Sequence, residues 1–355
     1  MTTLRAHRFG EWTDGQSVDR LVLTNDNGMQ AHLVPIGASL QSLLVADRDG
    51  ELRDVVLGFD DVAGYAENEP YLGCTVGRFA NRIADARCDI DGTETTLTAN
   101  AGGDHLHGGS IGISRRLWAS AMEQDPSTGL ASASFYLESP HGEDGYPGNV
   151  TLRVRYTLDQ QNSLHIEYFA RTDLPTIINL TNHSYFNLEG HNAGSVGEHT
   201  LRLFAAQYTP TNERLLPTGE IANTTGALDF STTKPLAPGF EDKALASIGG
   251  YDHNFVIDRS DRRLTLAAVL ASPESGIRMA VTTSEPAVQL YTANSLAVDC
   301  GKGGVGYLRH EAVCLETQRF PDAPNQPAFP PAMLFPDALF YSKTIYRFDT
   351  LRQSV

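Results

Sequence analysis

The sequence predicts an all-β protein, a large antiparallel sandwich. Three observations carry that expectation. Short runs in which apolar and polar residues alternate recur along the whole chain, the period of strands with unlike faces. Clusters of Gly, Pro, Asn and Asp separate them, as in DGQS, DRDG, DIDG, GEDGYPG and LPTG, and 32 glycines and 18 prolines fit many tight turns. Runs with the helical period are scarce.

In chain order, the alternating runs begin with Asp19–Asn25 and Gln30–Val34. They continue through Ala131–Leu137, Asn149–Leu158, Ser163–Arg171 and His199–Phe204. Asn254–Ile257, Arg263–Ala268, Arg278–Thr283, Ala287–Thr292, Ala312–Thr317 and Thr344–Phe348 complete the set. No low-complexity linker divides the 355 residues and no fixed-period repeat recurs. A single domain over residues 1–355 is therefore expected.

Hydrophobic residues make up 41% of the chain, enough for a sizeable core. The net charge is -16, from 43 acidic and 27 basic residues, without a local cluster of Lys and Arg. That charge repels polyanions, so neither nucleic acid nor an anionic membrane is an expected partner. No apolar run approaches the ~20 residues of a spanning helix. The N-terminal MTTLRAHRFGEW lacks the apolar core of a signal peptide. Cys74, Cys88, Cys300 and Cys314 stand singly, with no CxxC, and read as reduced core residues of a cytoplasmic protein.

Five segments are richer in functional groups than this background. The stretch NLTNHSYFNLEG, Asn179–Gly190, read with strand period, puts Asn179, Thr181, His183, Tyr185 and Asn187 on one face. Such a row can hydrogen-bond a neutral polyol, and His183 can exchange a proton near neutral pH. A polar strand face with a satisfied histidine is the plainer alternative. GCTVGRFANRI, Gly73–Ile83, holds Arg78, Asn81 and Arg82, suited to sugar oxygens or to a structural carboxylate. GGDHLHGG, Gly102–Gly109, puts His105 and His107 on one face if it is extended, and its glycines allow close approach of a ligand or another backbone. A cupin-type metal site needs a carboxylate four or five residues after the second histidine, where Ile111 and Gly112 stand, so no metal is expected.

In GGYDHNFVID, Asp252 can accept from vicinal hydroxyls or close a turn, and Gln289 and Tyr291 share a strand face nearby. In EAVCLETQRFPDAPNQPAFPP, Glu316 shares its face with Ala312 and Cys314, so it is partly desolvated. Desolvation raises a carboxyl pKa and strengthens the base it forms when ionised. A structural Glu paired with an Arg is the alternative. Prolines 321, 324, 327, 330 and 331 fix the loop that follows. GKGGVG, Gly301–Gly306, fits a dinucleotide fingerprint only formally, because no helix pattern follows.

Together these segments resemble the aldose 1-epimerase (galactose mutarotase) family. The blocks DVVLGFDDVAGY, GRFANRI, HLHGG, NLTNHSYFNL, YDHNF and CLETQRFPDAPNQP occur in the family's order, from Val55 to about Pro331. The resemblance implies a β-supersandwich, no metal or nucleotide cofactor, and a free hexose such as galactose or glucose as substrate. By motif position it implies His183 as general acid, Glu316 as general base and His107 as the second active-site histidine. Asn81, Arg82, Asp252 and Gln289 fall on its sugar-binding positions, and Tyr185 belongs to the block of His183. Glu285, Ala287 and Ala293 depart from the family's common QPGVQFYTGN, which bears on the exact sugar more than on the reaction.

Interconverting anomers requires one group to take the C1 hydroxyl proton and another to protonate the ring oxygen as the C1–O5 bond breaks. Glu316 suits the first task and His183 the second, with His107 donating to the ring oxygen. Sequence physics alone leaves the two histidines exchangeable; only the resemblance separates them. A hexose-6-phosphate epimerase wants more cations than ANRI offers. A sugar sensor predicts loss of the acid or base, and both are present; a glycosidase wants a pair of carboxylates flanking the bond, and the face carrying His183 has none. Monomer and homodimer are both compatible with the sequence.

Overall fold

The computed structural model describes residues 2–125, 128–258 and 263–351. The alternating runs form strands at the expected places, with ends moved by a few residues. Of the four cysteines expected in the core, Cys74, Cys88 and Cys314 are buried, but Cys300 lies on a loop and is exposed. Thr3–Glu11, Ser17–Thr24, Gln30–Val34, Ser39–Ala46 and Leu52–Asp54 form a five-stranded meander. A nine-stranded sheet is centred on Val150–Leu158, Ser163–Thr172, Phe340–Thr350 and Ile277–Thr283. A six-stranded sheet runs in the order Tyr185–Phe186, Val313–Gln318, Ala287–Tyr291, Asp252–Val256, Gln207–Tyr208 and Ala222–Asn223. The strand pairs within these sheets are antiparallel. Among the described residues, the α-helices are the short Val62–Ala66 and Ala237–Phe240. No helix among them is long and apolar enough to cross a membrane.

The strand period explains how the six-stranded sheet serves two purposes. Phe255, Val288, Leu290, Val313 and Leu315 face one way and join the main buried cluster, which also holds Leu33, Val154, Ile166 and Val281. Their alternates Asp252, Asn254, Gln289, Tyr291, Cys314 and Glu316 then share the opposite face. Register sets them in rows: Asn254 beside Gln289 beside Glu316, and Asp252 beside Tyr291 beside Cys314. A slip of one residue would bury the polar set in the core.

The Asn179–Gly190 stretch departs from the expected single strand. It is cut into short pieces, and residues 176–188 are all buried. Thr176–Ile177 pairs with Met333–Leu334, Thr181–Asn182 with Thr75–Val76, and Tyr185–Phe186 with Val313–Gln318. The amides explain the breaks, because they satisfy backbone groups of other loops. Asn179 donates to Ala80 O and Arg319 O and accepts from the Arg319 N–H. Asn187 donates to Gly194 O at 2.8 Å and Glu311 O at 3.0 Å. These amides tie loops together and do not line the pocket described below.

Arg78 is likewise a tether. Its buried guanidinium donates to Ser139 Oγ, Ser139 O, Pro140 O and Pro147 O. Arg78→Met should cost about 3 kcal/mol, since it leaves buried carbonyls unpaired. Urea unfolding should show a lower midpoint at unchanged slope, and an unchanged midpoint would refute this role.

Candidate active site

At the polar face of the six-stranded sheet lies a cavity of about 400 Å³. Its walls include Tyr71, Asn81, Arg82, His107, His183, Tyr185, Leu215, Asp252, Tyr291 and Glu316. Glu316 and Asp252 come from the sheet itself, while Tyr185 is the edge-strand neighbour of Cys314. Gln289 stands one layer behind, donating from Nε2 to Asp252 Oδ1 at 2.6 Å. His183, Glu316, His107, Asn81, Arg82, Asp252 and Tyr185 are therefore gathered at one place, with Gln289 in contact through Asp252.

His107 reaches the cavity because its segment is not extended. Its φ of 51° turns it away from His105, so the two histidines do not share a face as an extended strand would require. His105 is buried, bonded to Thr98 O at 2.7 Å and to the Tyr146 hydroxyl at 2.5 Å. The two glycines after His107 have a steric reason. Gly108 has φ 94°, and a Cβ there would lie 1.7 Å from Gly77 O. Another backbone, rather than a ligand, makes this close approach.

Part of the cavity wall is built on left-handed backbone. Tyr71, Asn81, His107 and Leu215 all line it and all have positive φ, from 51° to 67°. Non-glycine residues adopt that region rarely, and at a cost that the surrounding structure offsets. Tyr71 and Leu215 have no periodic signal in the sequence. Only a lone aromatic after Pro70 and a leucine in the loop NERLLPTG mark them.

The titratable groups lie close together. His183 Nε2 is 3.7 Å from Glu316 Oε2, and the His183 and His107 rings meet edge-on with centroids 5.2 Å apart. His183 stacks on Tyr185, and more loosely on Tyr71. Its Nδ1 lies 3.7 Å from the buried Cys314 sulfur. Glu316 Oε2 is buried without a hydrogen-bond partner among the described residues. Arg82 borders the cavity, and no described residue hydrogen-bonds its guanidinium.

Burial governs the protonation states. It pushes His183 down to about 4. Burial first, then the nearby Asp252 charge, pushes Glu316 well above the usual carboxylate range. Burial, then the neighbouring His183 and Arg82 charges, holds His107 well below an ordinary histidine. Burial also raises Asp252, opposed by the Gln289 hydrogen bond and Arg82. His107 Nδ1 accepts the Asn81 N–H at 3.2 Å, so the neutral ring carries its proton on Nε2.

Ligand atoms of His107, His183 and Glu316 lie within 4.8 Å of one another, a spacing compatible with a metal ion. The Asn81 bond argues against that use. With Nδ1 occupied and Nε2 protonated, neutral His107 offers a donor rather than a free lone pair.

A sequence model described as aldose 1-epimerase matches residues 19–347. The chain belongs to the aldose 1-epimerase family. Family members are isomerases, and this chain is an enzyme of that class. It is 39% identical to bovine galactose mutarotase over 343 residues, covering 96% of this chain and 97% of that one. It is 34% identical to aldose 1-epimerase of Escherichia coli K12, covering 94% and 96% of the two chains. The GalM/aldose epimerase homologue of C. elegans superposes with a TM-score of 0.86 at 32% identity, covering 94% of this chain and all of that one. Galactose 1-epimerase of Lactobacillus acidophilus NCFM gives 0.84 at 28% identity, covering 99% of each chain. The six-stranded sheet and the cavity on its polar face are thus part of an aldose 1-epimerase fold.

Proposed function

We propose that this aldose 1-epimerase family member interconverts the α and β anomers of a free hexose, galactose or glucose, by acid/base ring opening. Glu316 takes the proton of the C1 hydroxyl. His183 protonates the ring oxygen as C1–O5 breaks, and His107 donates from Nε2 to that oxygen. The open aldehyde turns about C1–C2 and recloses with the transfers reversed. Arg82, Asn81, Asp252 and Tyr185 hold the unreacting hydroxyls, with Gln289 supporting Asp252. The observation that carries this reading is the unpartnered carboxyl oxygen of Glu316 facing the His183 imidazole across 3.7 Å. No hydrogen bond to another described residue engages it.

The depressed His183 and the raised Glu316 fit this chemistry when treated as one pair sharing one proton. Neutral His183 with protonated Glu316, and charged His183 with ionised Glu316, contain the same number of protons. Burial favours the first arrangement. Sugar hydroxyls replacing lost water favour the second, which is the reactive one. Below the lowered His183 value both groups are protonated and no base remains, so kcat/KM should fall as pH drops through about 4. The alkaline limb should follow loss of the shared proton from Glu316. Polarimetry across pH, corrected for spontaneous mutarotation, checks this. An acid limb centred near 6.5, the ordinary histidine value, would contradict the shared proton.

Arg82→Met should raise KM about tenfold with kcat changed little, since it removes a charged donor used equally in ground and transition states. An unchanged KM would take Arg82 out of sugar binding. All proposed groups come from one chain, so the reading holds for a monomer and for a homodimer alike. A polarimetric panel of galactose, glucose, xylose and arabinose tests the substrate class. Wild-type protein that bound these sugars without speeding their equilibration would defeat the proposal.

A further inference from the structure

Beside the sugar cavity lies a much smaller one, about 20 Å³, sharing Asn81, Arg82, Leu215 and Asp252 with it. Thr209, Asn254 and Gln289 also line it. Asn254 and Gln289 are cross-strand partners, and Glu316 is next in the same row. The orientation of the Gln289 amide is set by Asp252, to which its Nε2 donates at 2.6 Å. Its Oε1 therefore turns away from Asp252, and it is buried without a partner in the protein. Asn254 spends its Nδ2 on Thr209 Oγ1 at 3.3 Å, and its Oδ1 is likewise buried and unpartnered. Two unpaired acceptors thus sit on neighbouring strands, on residues that line one small cavity, and neither Arg82 nor Thr209 in the same lining donates to them, an unfavourable arrangement for buried polar groups.

The chemistry of the missing donor is restricted. A sugar hydroxyl carries one O–H and satisfies one acceptor. A metal cation would have to share the cavity with the positively charged Arg82, which is among its lining residues. A water molecule supplies two O–H donors, and a cavity of this size admits one. We propose that a single trapped water bridges Gln289 Oε1 and Asn254 Oδ1, and that Asn254 thereby acts as a positioning residue for the Gln289–Asp252 clamp. With both acceptors satisfied, the Gln289 amide has no reason to rotate, and its Nε2 keeps the Asp252 carboxylate aimed at the sugar. The functional half of this inference rests on the reading that Asp252 grips the substrate.

A high-resolution crystal structure of the wild-type protein tests the water directly. The expected result is one density peak within hydrogen-bond distance of both oxygens, unchanged between sodium and potassium buffers. A cavity without density, with the Asn254 amide turned to donate directly to Gln289, overturns it. A peak that changes with the cation overturns it as well. Asn254→Leu keeps the bulk and removes the acceptor. It should raise the KM for galactose about five- to tenfold while kcat stays within about twofold. Asn254→Ser, which keeps an oxygen and leaves room for water, should restore KM to within about threefold of wild type. A folded Asn254→Leu enzyme with wild-type KM overturns the positioning role, and if that variant does not fold, the serine variant and the wild-type density decide. Failure of the wild-type enzyme to mutarotate any aldose would instead defeat the proposed function, and leave the water to be judged by its density.

Discussion

Glu316→Gln is expected to lower kcat for galactose mutarotation by about 10²–10⁴-fold, the usual contribution of a positioned base. Glutamine has nearly the same shape and keeps an acceptor oxygen, but it cannot take a proton at neutral pH. The fold should tolerate it well. Glu316 Oε2 has no hydrogen-bond partner among the described residues, so replacing it breaks no internal hydrogen bond there. The change also removes a buried carboxyl beside Asp252, and thermal stability should hold or rise slightly. Sugar affinity, read by calorimetry, should remain measurable, because the groups proposed to hold the other hydroxyls are untouched. A variant that kept wild-type rates in polarimetry would remove Glu316 from the base role. One that lost binding and rate together would make it a binding group.

His183→Asn should fall by a comparable factor, about 10²–10⁴-fold, with a different pH signature. Without the imidazole, the shared proton is gone and Glu316 titrates alone. The residual rate should then rise along a single limb as Glu316 ionises, instead of passing through a plateau with two limbs. Asparagine leaves a gap beside Tyr185, whose ring stacks on His183 with centroids 5.0 Å apart, so modest destabilisation should accompany the loss of rate. Comparing His107→Asn separates the two histidines. His107 is a fixed Nε2–H donor in the proposed mechanism, so that variant should lose rate while keeping both limbs of the pH profile. If His183→Asn retained the two-limbed profile, the acid would be another group.

Much of this molecule was legible in its alternating runs. Period 2 in Ala287–Tyr291 and Val313–Gln318 separates Val288, Leu290, Val313 and Leu315 from Gln289, Tyr291, Cys314 and Glu316, and the structure keeps that separation. Asn179–Gly190 alternates in sequence yet forms no continuous strand. Side-chain amides there replace ladder hydrogen bonds, and nothing in a hydropathy pattern records which backbone group an amide will meet. The same blindness applies to paired candidates. Arg78 and Arg82 look alike in GRFANRI, yet one is fixed to the carbonyls of Ser139, Pro140 and Pro147 while the other borders the cavity.

By itself, then, the sequence determined the fold class, the strand faces and, through its motif blocks, the family and the set of polar residues that meet. Those properties follow from local periodicity and from short patterns that survive in linear order. The tertiary structure alone decided how His107 turns into the cavity, that Tyr71 and Leu215 join the wall, and that Asn254 stands beside Gln289. These depend on positive-φ turns, on contacts between residues far apart in the chain, and on cross-strand register. It also decided how far burial moves His183 and Glu316 toward their neutral forms. Desolvation is a property of everything packed around a group, and no short segment contains it.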